Sequence, residues 1–232
     1  MASILTQFGP EIWLAEGPTI TATAGFHYPT RQAVIRLFGN QLFIWSPIAL
    51  TAELHASVSA LGEVGYLIPP NSLHHLSLGD WQRAFPQAKT YAPPGLREKR
   101  PDILFDGDLA DIGQPVWNTD VKQVVIGGNL ITTEVVFFHL ASRTALFCDL
   151  IQQFKPGWFS GWRAVVAGLD LMIGAEASVP RKFRIAFTDK RAARASIQKI
   201  LAWPAENVLM AHGDPITRDG QAFLRRAFRW LV

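Results

Sequence analysis

Leu67-Ile68-Pro69-Pro70-Asn71-Ser72-Leu73-His74-His75-Leu76 joins two kinds of local order. Val64 to Ile68 is short and apolar, as a strand buried on both faces is. Beyond the two prolines, Asp80-Trp81-Gln82-Arg83-Ala84-Phe85 reads as a short helix stopped by Pro86. His74 and His75 therefore lie on a loop between a strand end and a helix start. In open α/β architectures ligands and ions collect at that edge, because loops converge there while the sheet holds them still. Neighbouring side chains of a straight strand point to opposite faces, but on such a loop both rings can turn toward one ion. A nearby helix N-terminus disfavours the imidazolium and keeps the ring neutral enough to ligate.

Upstream, residues 11 to 45 read as antiparallel strands. Ile12-Trp13-Leu14-Ala15 and Ile20-Thr21-Ala22-Thr23 are punctuated by Gly17-Pro18, and Ala33 to Leu37 and Gln41 to Trp45 flank a hairpin turn at Phe38-Gly39-Asn40. Thr51 caps a helix that runs to Gly62. Downstream come a short strand at Lys89 to Ala92, a solvated charged stretch from Arg97 to Asp102, and three strands at Val121 to Ile126, Thr133 to His139 and Thr144 to Leu150. Glu134 begins the second of these and reads as a rim residue. From Asp189 to Trp203 the spacing predicts an amphipathic helix, with Ala192, Ile197, Ile200 and Leu201 inward. Val208 to Ala211 is a strand leading into His212-Gly213, and a last helix starts near Asp219.

With 232 residues and 49% hydrophobic content, the chain has ample core for an α/β fold, read as one domain over 1–232 because no linker or repeat divides it. A net charge of +3 makes no case for nucleic acid. The basic band Arg181, Lys182, Arg184, Lys190, Arg191 and Arg194 is explained by an ordinary solvent face. The one cysteine, Cys148, excludes an internal disulfide, fits a reducing, cytoplasmic setting, and reads as a buried inert thiol. Neither a basic leader nor an apolar run of about 18 residues occurs, so no spanning helix is expected. The stretch from Phe154 to Gly174, dense in aromatics and glycines, reads as a packed cover, or as a surface for peripheral contact with a partner or membrane.

Asp149 follows a buried strand, where an unpaired charge is costly, and so is the natural anionic partner of the histidines. His212 supplies a third nitrogen at another strand end. His74, His75, Asp149 and His212 are thus the candidate ligands of one divalent ion, with zinc ahead of iron or manganese. A site without any ion is the alternative. His139 and Asp214 are assigned to the shell behind the ligands.

Val34-Ile35-Arg36-Leu37, Trp45-Ser46-Pro47-Ile48-Ala49-Leu50, Pro70-Asn71 with His74-His75, Tyr91-Ala92-Pro93-Pro94-Gly95-Leu96, Glu134 to His139 and the late Ala211-His212-Gly213-Asp214-Pro215 together resemble the metallo-β-lactamase fold superfamily, in a branch of unknown function. The resemblance spans nearly the whole chain and implies a four-layer αββα sandwich with its site at one edge. The superfamily's H-x-H-x-D-H motif falls on Pro70, Ser72, His74 and His75, and Leu130 lies near another ligand position. The motif is therefore degenerate. One half of the usual dinuclear site is lost, while His74, His75, Asp149 and His212 could hold a single ion. The resemblance thereby implies a mononuclear metal-dependent hydrolase of an ester, lactone, thioester or phosphoester, with a small-molecule substrate. The alternative is a non-catalytic relative that binds a ligand or partner through its aromatic segment.

Overall fold

The structure, a computed structural model, describes residues 4–232. The alternating N-terminal third folds into β1 (Thr6–Gly9), β2 (Ile12–Thr21), β3 (His27–Arg36) and β4 (Gln41–Trp45), each antiparallel to the one before. Asn40 takes a positive φ in the tight β3–β4 turn, a conformation asparagine tolerates. Thr51 then caps α1 (Ala52–Leu61), its hydroxyl accepting from Leu54 N–H at 3.1 Å. The crossover delivers β5 (Glu63–Ile68) parallel to β4, the arrangement a continuous apolar run suits. α2 (Leu78–Ala84), β6 (Lys89–Ala92), α3 (Leu96–Lys99) and the two-residue β7 (Gly107–Asp108) complete a seven-stranded sheet in sequential order.

The second sheet has four strands, β8 (Val121–Ile126), β9 (Glu134–His139), β10 (Thr144–Gln152) and β11 (Asn207–His212), in the order β11-β10-β9-β8. Between β10 and β11 the chain forms α4 (Trp162–Leu169), α5 (Arg181–Ala186) and α6 (Lys190–Leu201), and it closes with α7 (Gly220–Ala227). Ile35, Phe43, Trp45 and Ile68 of the first sheet pack against Val135, Phe137, Leu146 and Leu209 of the second. Leu54, Val58, Leu78 and Trp81 cover the outer face of the first sheet, and Phe183, Ile197, Phe223 and Phe228 that of the second. These layers make the expected αββα sandwich. Among the described residues no helix is long and apolar enough to cross a membrane.

Two local expectations change, and two short elements were not foreseen. In α6 the inward alanine is Ala193, while Ala192 is exposed, because the buried stripe runs through Ala193, Ser196, Ile197 and Ile200. α5 and β7 are too short for periodicity to reveal. Glu134, read as a rim residue, is wholly buried at the head of β9.

Candidate metal centre

Three side chains converge at one end of the two sheets. Asp149 Oδ1 lies 3.3 Å from His212 Nε2, Asp149 Oδ2 lies 3.4 Å from His74 Nε2, and the two Nε2 atoms are 3.3 Å apart. All three residues are largely withdrawn from solvent.

Each ring is oriented from behind. His212 Nδ1 donates to the Pro29 carbonyl at 2.8 Å, which fixes the ring with Nε2 facing the carboxylate. His74 Nδ1 is 3.0 Å from Ser46 Oγ. Asn71 ties the histidine loop to the carboxylate. Its Oδ1 accepts from the N–H groups of Leu73 and His74 at 2.8 and 3.2 Å, an Asx-type turn, and its Nδ2 donates to Asp149 Oδ2 at 2.7 Å. Tyr28 lies against the His212 ring, and Phe154 packs edge-on to Tyr28.

Asp149 itself is placed by a break in the ladder. The β10–β11 register holds through Phe147 and resumes only at Gln152. The loosened backbone is recaptured by Glu134, whose carboxylate accepts from the N–H groups of Cys148, Asp149 and Leu150 at 2.8, 2.7 and 3.0 Å. Burial and the nearby Asp149 charge push the Glu134 pKa up to about 7, against the pull of these three donors. For Asp149, burial alone would raise the pKa, but His74 and His212 outweigh it and hold the carboxyl well below its usual range.

Gly213 follows His212 at φ +148°, where a Cβ would stand 2.9 Å from the Gln153 carbonyl, so only glycine fits without movement. Arg31 donates to the carbonyls of Met210 and Gly213 and to Glu16, anchoring the end of β11. Beside it opens a cavity of about 480 Å³, lined by Arg31, Gln153, Phe154, Lys155, Trp158 and Gly213 among others.

The remaining predicted residues are elsewhere. His75 is not in the cluster: Arg100 donates to its Nδ1 at 2.9 Å and to its carbonyl at 3.0 Å. A guanidinium cannot accept, so the His75 Nδ1 lone pair is occupied and its proton sits on Nε2, leaving no free ligand atom. Burial, then Lys99 and Arg100, presses its pKa down to about 4. His139 is not behind the ligands either. It closes the opposite end of β9 from Glu134, about 17 Å away at the usual strand rise, with Nδ1 2.7 Å from Ser142 Oγ. Asp214 is exposed and pairs with Lys155 at 3.0 Å. Leu130 is solvent-exposed.

Asn71, Ser46, Pro29 and Tyr28 were missed from sequence, since only the fold brings them to the histidines. Cys148 was read as inert, and it is buried, its thiol pushed well up by burial and by the charges of Asp149 and Glu134. It also offers a donor atom. His74, Cys148 and Asp149 each present one ligand atom within 4.8 Å of the others.

The arrangement suits a cation. Two imidazole nitrogens and a carboxylate crowd on one point, a donor set of the kind that holds a divalent ion. Ligands about 2.0–2.1 Å from a tetrahedral ion stand about 3.3–3.4 Å apart, the spacing seen between the two Nε2 atoms and from each of them to one oxygen of the Asp149 carboxylate.

The sequence model of a family described as a domain of unknown function (DUF4336) matches residues 11–160. No curated protein matches the chain. Among solved structures, a metallo-β-lactamase from Pontibacter korlensis is 14% identical with a TM-score of 0.63, over 98% of this chain and 97% of that one. The metallo-β-lactamase FIM-1 from Pseudomonas aeruginosa in its mono-zinc form is 12% identical with a TM-score of 0.64, over 97% and 94%. The metal-soaked Flv1 flavodiiron core from Synechocystis sp. PCC6803 is 10% identical with a TM-score of 0.61, over 98% of this chain and 60% of that one. At such identities the likeness is one of fold: this is a metallo-β-lactamase fold.

Proposed function

The chain belongs to the family described as a domain of unknown function (DUF4336), and from its site we propose a mononuclear metal-dependent hydrolase acting on an ester, lactone, thioester or phosphoester. His74, Asp149 and His212 would hold the ion. The observation that carries this reading is the 3.3–3.4 Å spacing of the two Nε2 atoms from each other and from the two oxygens of Asp149, with His212 Nδ1 already committed to Pro29. When bound, a divalent ion would supply Lewis acidity, polarising a substrate oxygen and lowering the pKa of water. Two imidazoles and one carboxylate suit zinc first, with iron or manganese as alternatives.

The chain's own residues do the positioning. Asn71 holds Asp149 Oδ2 while fixing the turn that carries His74, and Glu134 immobilises the backbone beneath Asp149. Partners of this kind orient ligands and typically matter about 10–100-fold in affinity. Tyr28 and Phe154 shield His212 from water. The cavity beside Gly213 would receive a small molecule, with Trp158 and Phe154 offering apolar walls and the Lys155–Asp214 pair at its margin. Pro70 and Ser72 stand where the superfamily pattern has two histidines, which favours one ion over a pair.

A second reading, a non-catalytic binding protein, is favoured by the apolar stripe Trp162, Val165, Val166 and Leu169 on the outside of α4. One experiment separates the two. Protein purified without chelator is assayed for bound metal and for hydrolysis of ester, thioester, lactone and phosphoester panels. Near-stoichiometric metal, with both metal and turnover lost in His212→Ala and Asp149→Ala, supports the hydrolase. Failure of the folded wild type to retain or take up zinc, iron or manganese would overturn it.

A further inference from the structure

A second cavity, of about 290 Å³, lies behind the C-terminal sheet and contains none of the metal-centre residues. Its walls include Glu176, Ser178, Arg184, Arg226, Arg229 and Trp230. α7 and the turn that follows it put the arginines there: Phe223, Leu224 and Ala227 face the core, leaving Arg226 exposed on the helix, and Arg229 lies in the turn just past its end. In α5, burial of Phe183 carries Arg184 to the same space.

Three guanidiniums thus face one carboxylate. Arg226 takes that carboxylate, bonding Glu176 at 2.8 and 3.4 Å. Arg184 spends its Nε on the Val179 carbonyl and lies over the Trp230 ring. The Arg229 side chain makes no hydrogen bond or ion pair among the described residues. Trp230 Nε1 is buried and has no acceptor. Burial together with the charges of Arg181 and Arg229 pulls the Arg184 pKa down, the mark of cations crowded without enough counter-charge. Donors and positive charge are in excess. What is missing is an anion rich in acceptors, and a buried orphan donor of this kind calls for such an explanation.

We propose that this cavity is a binding site for a phosphomonoester, held by the guanidiniums of Arg184, Arg226 and Arg229. Planar guanidinium forks match the tetrahedral oxygens of phosphate. Three cations against one carboxylate leave an excess that a dianion balances. The volume corresponds to about ten waters at ~30 Å³ each, room for a phosphate with a small organic substituent. The same group could come from a soluble metabolite or from a phospholipid headgroup. The second source draws on the exposed apolar stripe of α4, which ends at Leu169, two residues before the cavity residue Leu171.

The test is titration calorimetry with inorganic phosphate and glycerol 3-phosphate, alongside flotation with phosphatidylcholine vesicles with and without phosphatidic acid. Saturable binding is expected, weakened about tenfold or more in Arg184→Gln/Arg229→Gln, as loss of charge-assisted bonds implies. It should be unchanged in the charge-matched control Arg191→Gln/Arg225→Gln, whose arginines are exposed outside the cavity. The exposed single variant Arg229→Gln gives the same readout should the double variant fold poorly. Arginine-dependent binding of the soluble phosphates assigns a metabolite, and arginine-dependent binding of phosphatidic acid vesicles alone assigns a headgroup. Phosphate held at the metal centre would be indifferent to these arginines. That result, equal losses in the control, or no binding to either probe each overturns the proposal.

Discussion

Acidification should destabilise this protein through His139. Its ring is buried at the end of β9, and burial pushes its pKa from 6.5 to about 4, against opposing pulls from Asp120 and Glu11. As pH falls the unfolded chain therefore takes up the proton first. For a base with a depressed folded pKa, this contribution to stability is fully present above about pH 6.5 and is lost on the way down to about pH 4. At 1.36 kcal/mol per pH unit the gap amounts to about 3 kcal/mol in full, of which about 2 kcal/mol is lost by pH 5. His139→Gln isolates the effect. Glutamine can still donate to Ser142 Oγ, the neighbour 2.7 Å away, but it does not titrate. Urea unfolding of both proteins between pH 7 and pH 5 should show the wild type losing about 2 kcal/mol relative to the variant. Both should carry the same metal, since His139 is at the far end of its strand. A pH-independent difference, or an NMR titration of the folded His139 ring near 6.5, would refute the reasoning.

The two adjacent histidines should separate cleanly. His74→Asn should weaken zinc binding by about 100-fold or more, as removal of one of few ligands implies. His75→Asn should leave it within about twofold; a competition titration with a chromogenic chelator that ranks them the other way defeats the assignment. Asn71→Ala removes the 2.7 Å bond to Asp149 and should cost about 10–100-fold in metal affinity with little change in unfolding midpoint. Glu134→Gln keeps the volume but sets an amide N–H against at least one of three backbone donors. A loss of about 1–3 kcal/mol is expected in denaturant unfolding, and an unchanged midpoint would show that the clamp carries no load.

Much of the scaffold was legible because its signals are local. Val64 to Ile68 is apolar enough to be a buried strand in any context, Thr51 caps with its own hydroxyl, and the turn at Asn40 depends only on neighbouring backbone. Strand ends are where His74, Asp149 and His212 were read, and in the structure the three side chains lie together at one edge. Which of two consecutive rings faces that edge is a different kind of fact. Arg100, 25 residues on, captures His75 by its Nδ1 and leaves His74 to meet a carboxylate 75 positions away. Glu134 likewise looked like a rim residue because nothing nearby in sequence announces the three unpaired N–H groups of the β10 irregularity. Alternation and capping act through adjacent residues, so the chain alone determined where strands and helices begin. The direction of a loop side chain, and the partners that buried charges find, depend on free energies set by distant groups, and only the assembled sheets decided them.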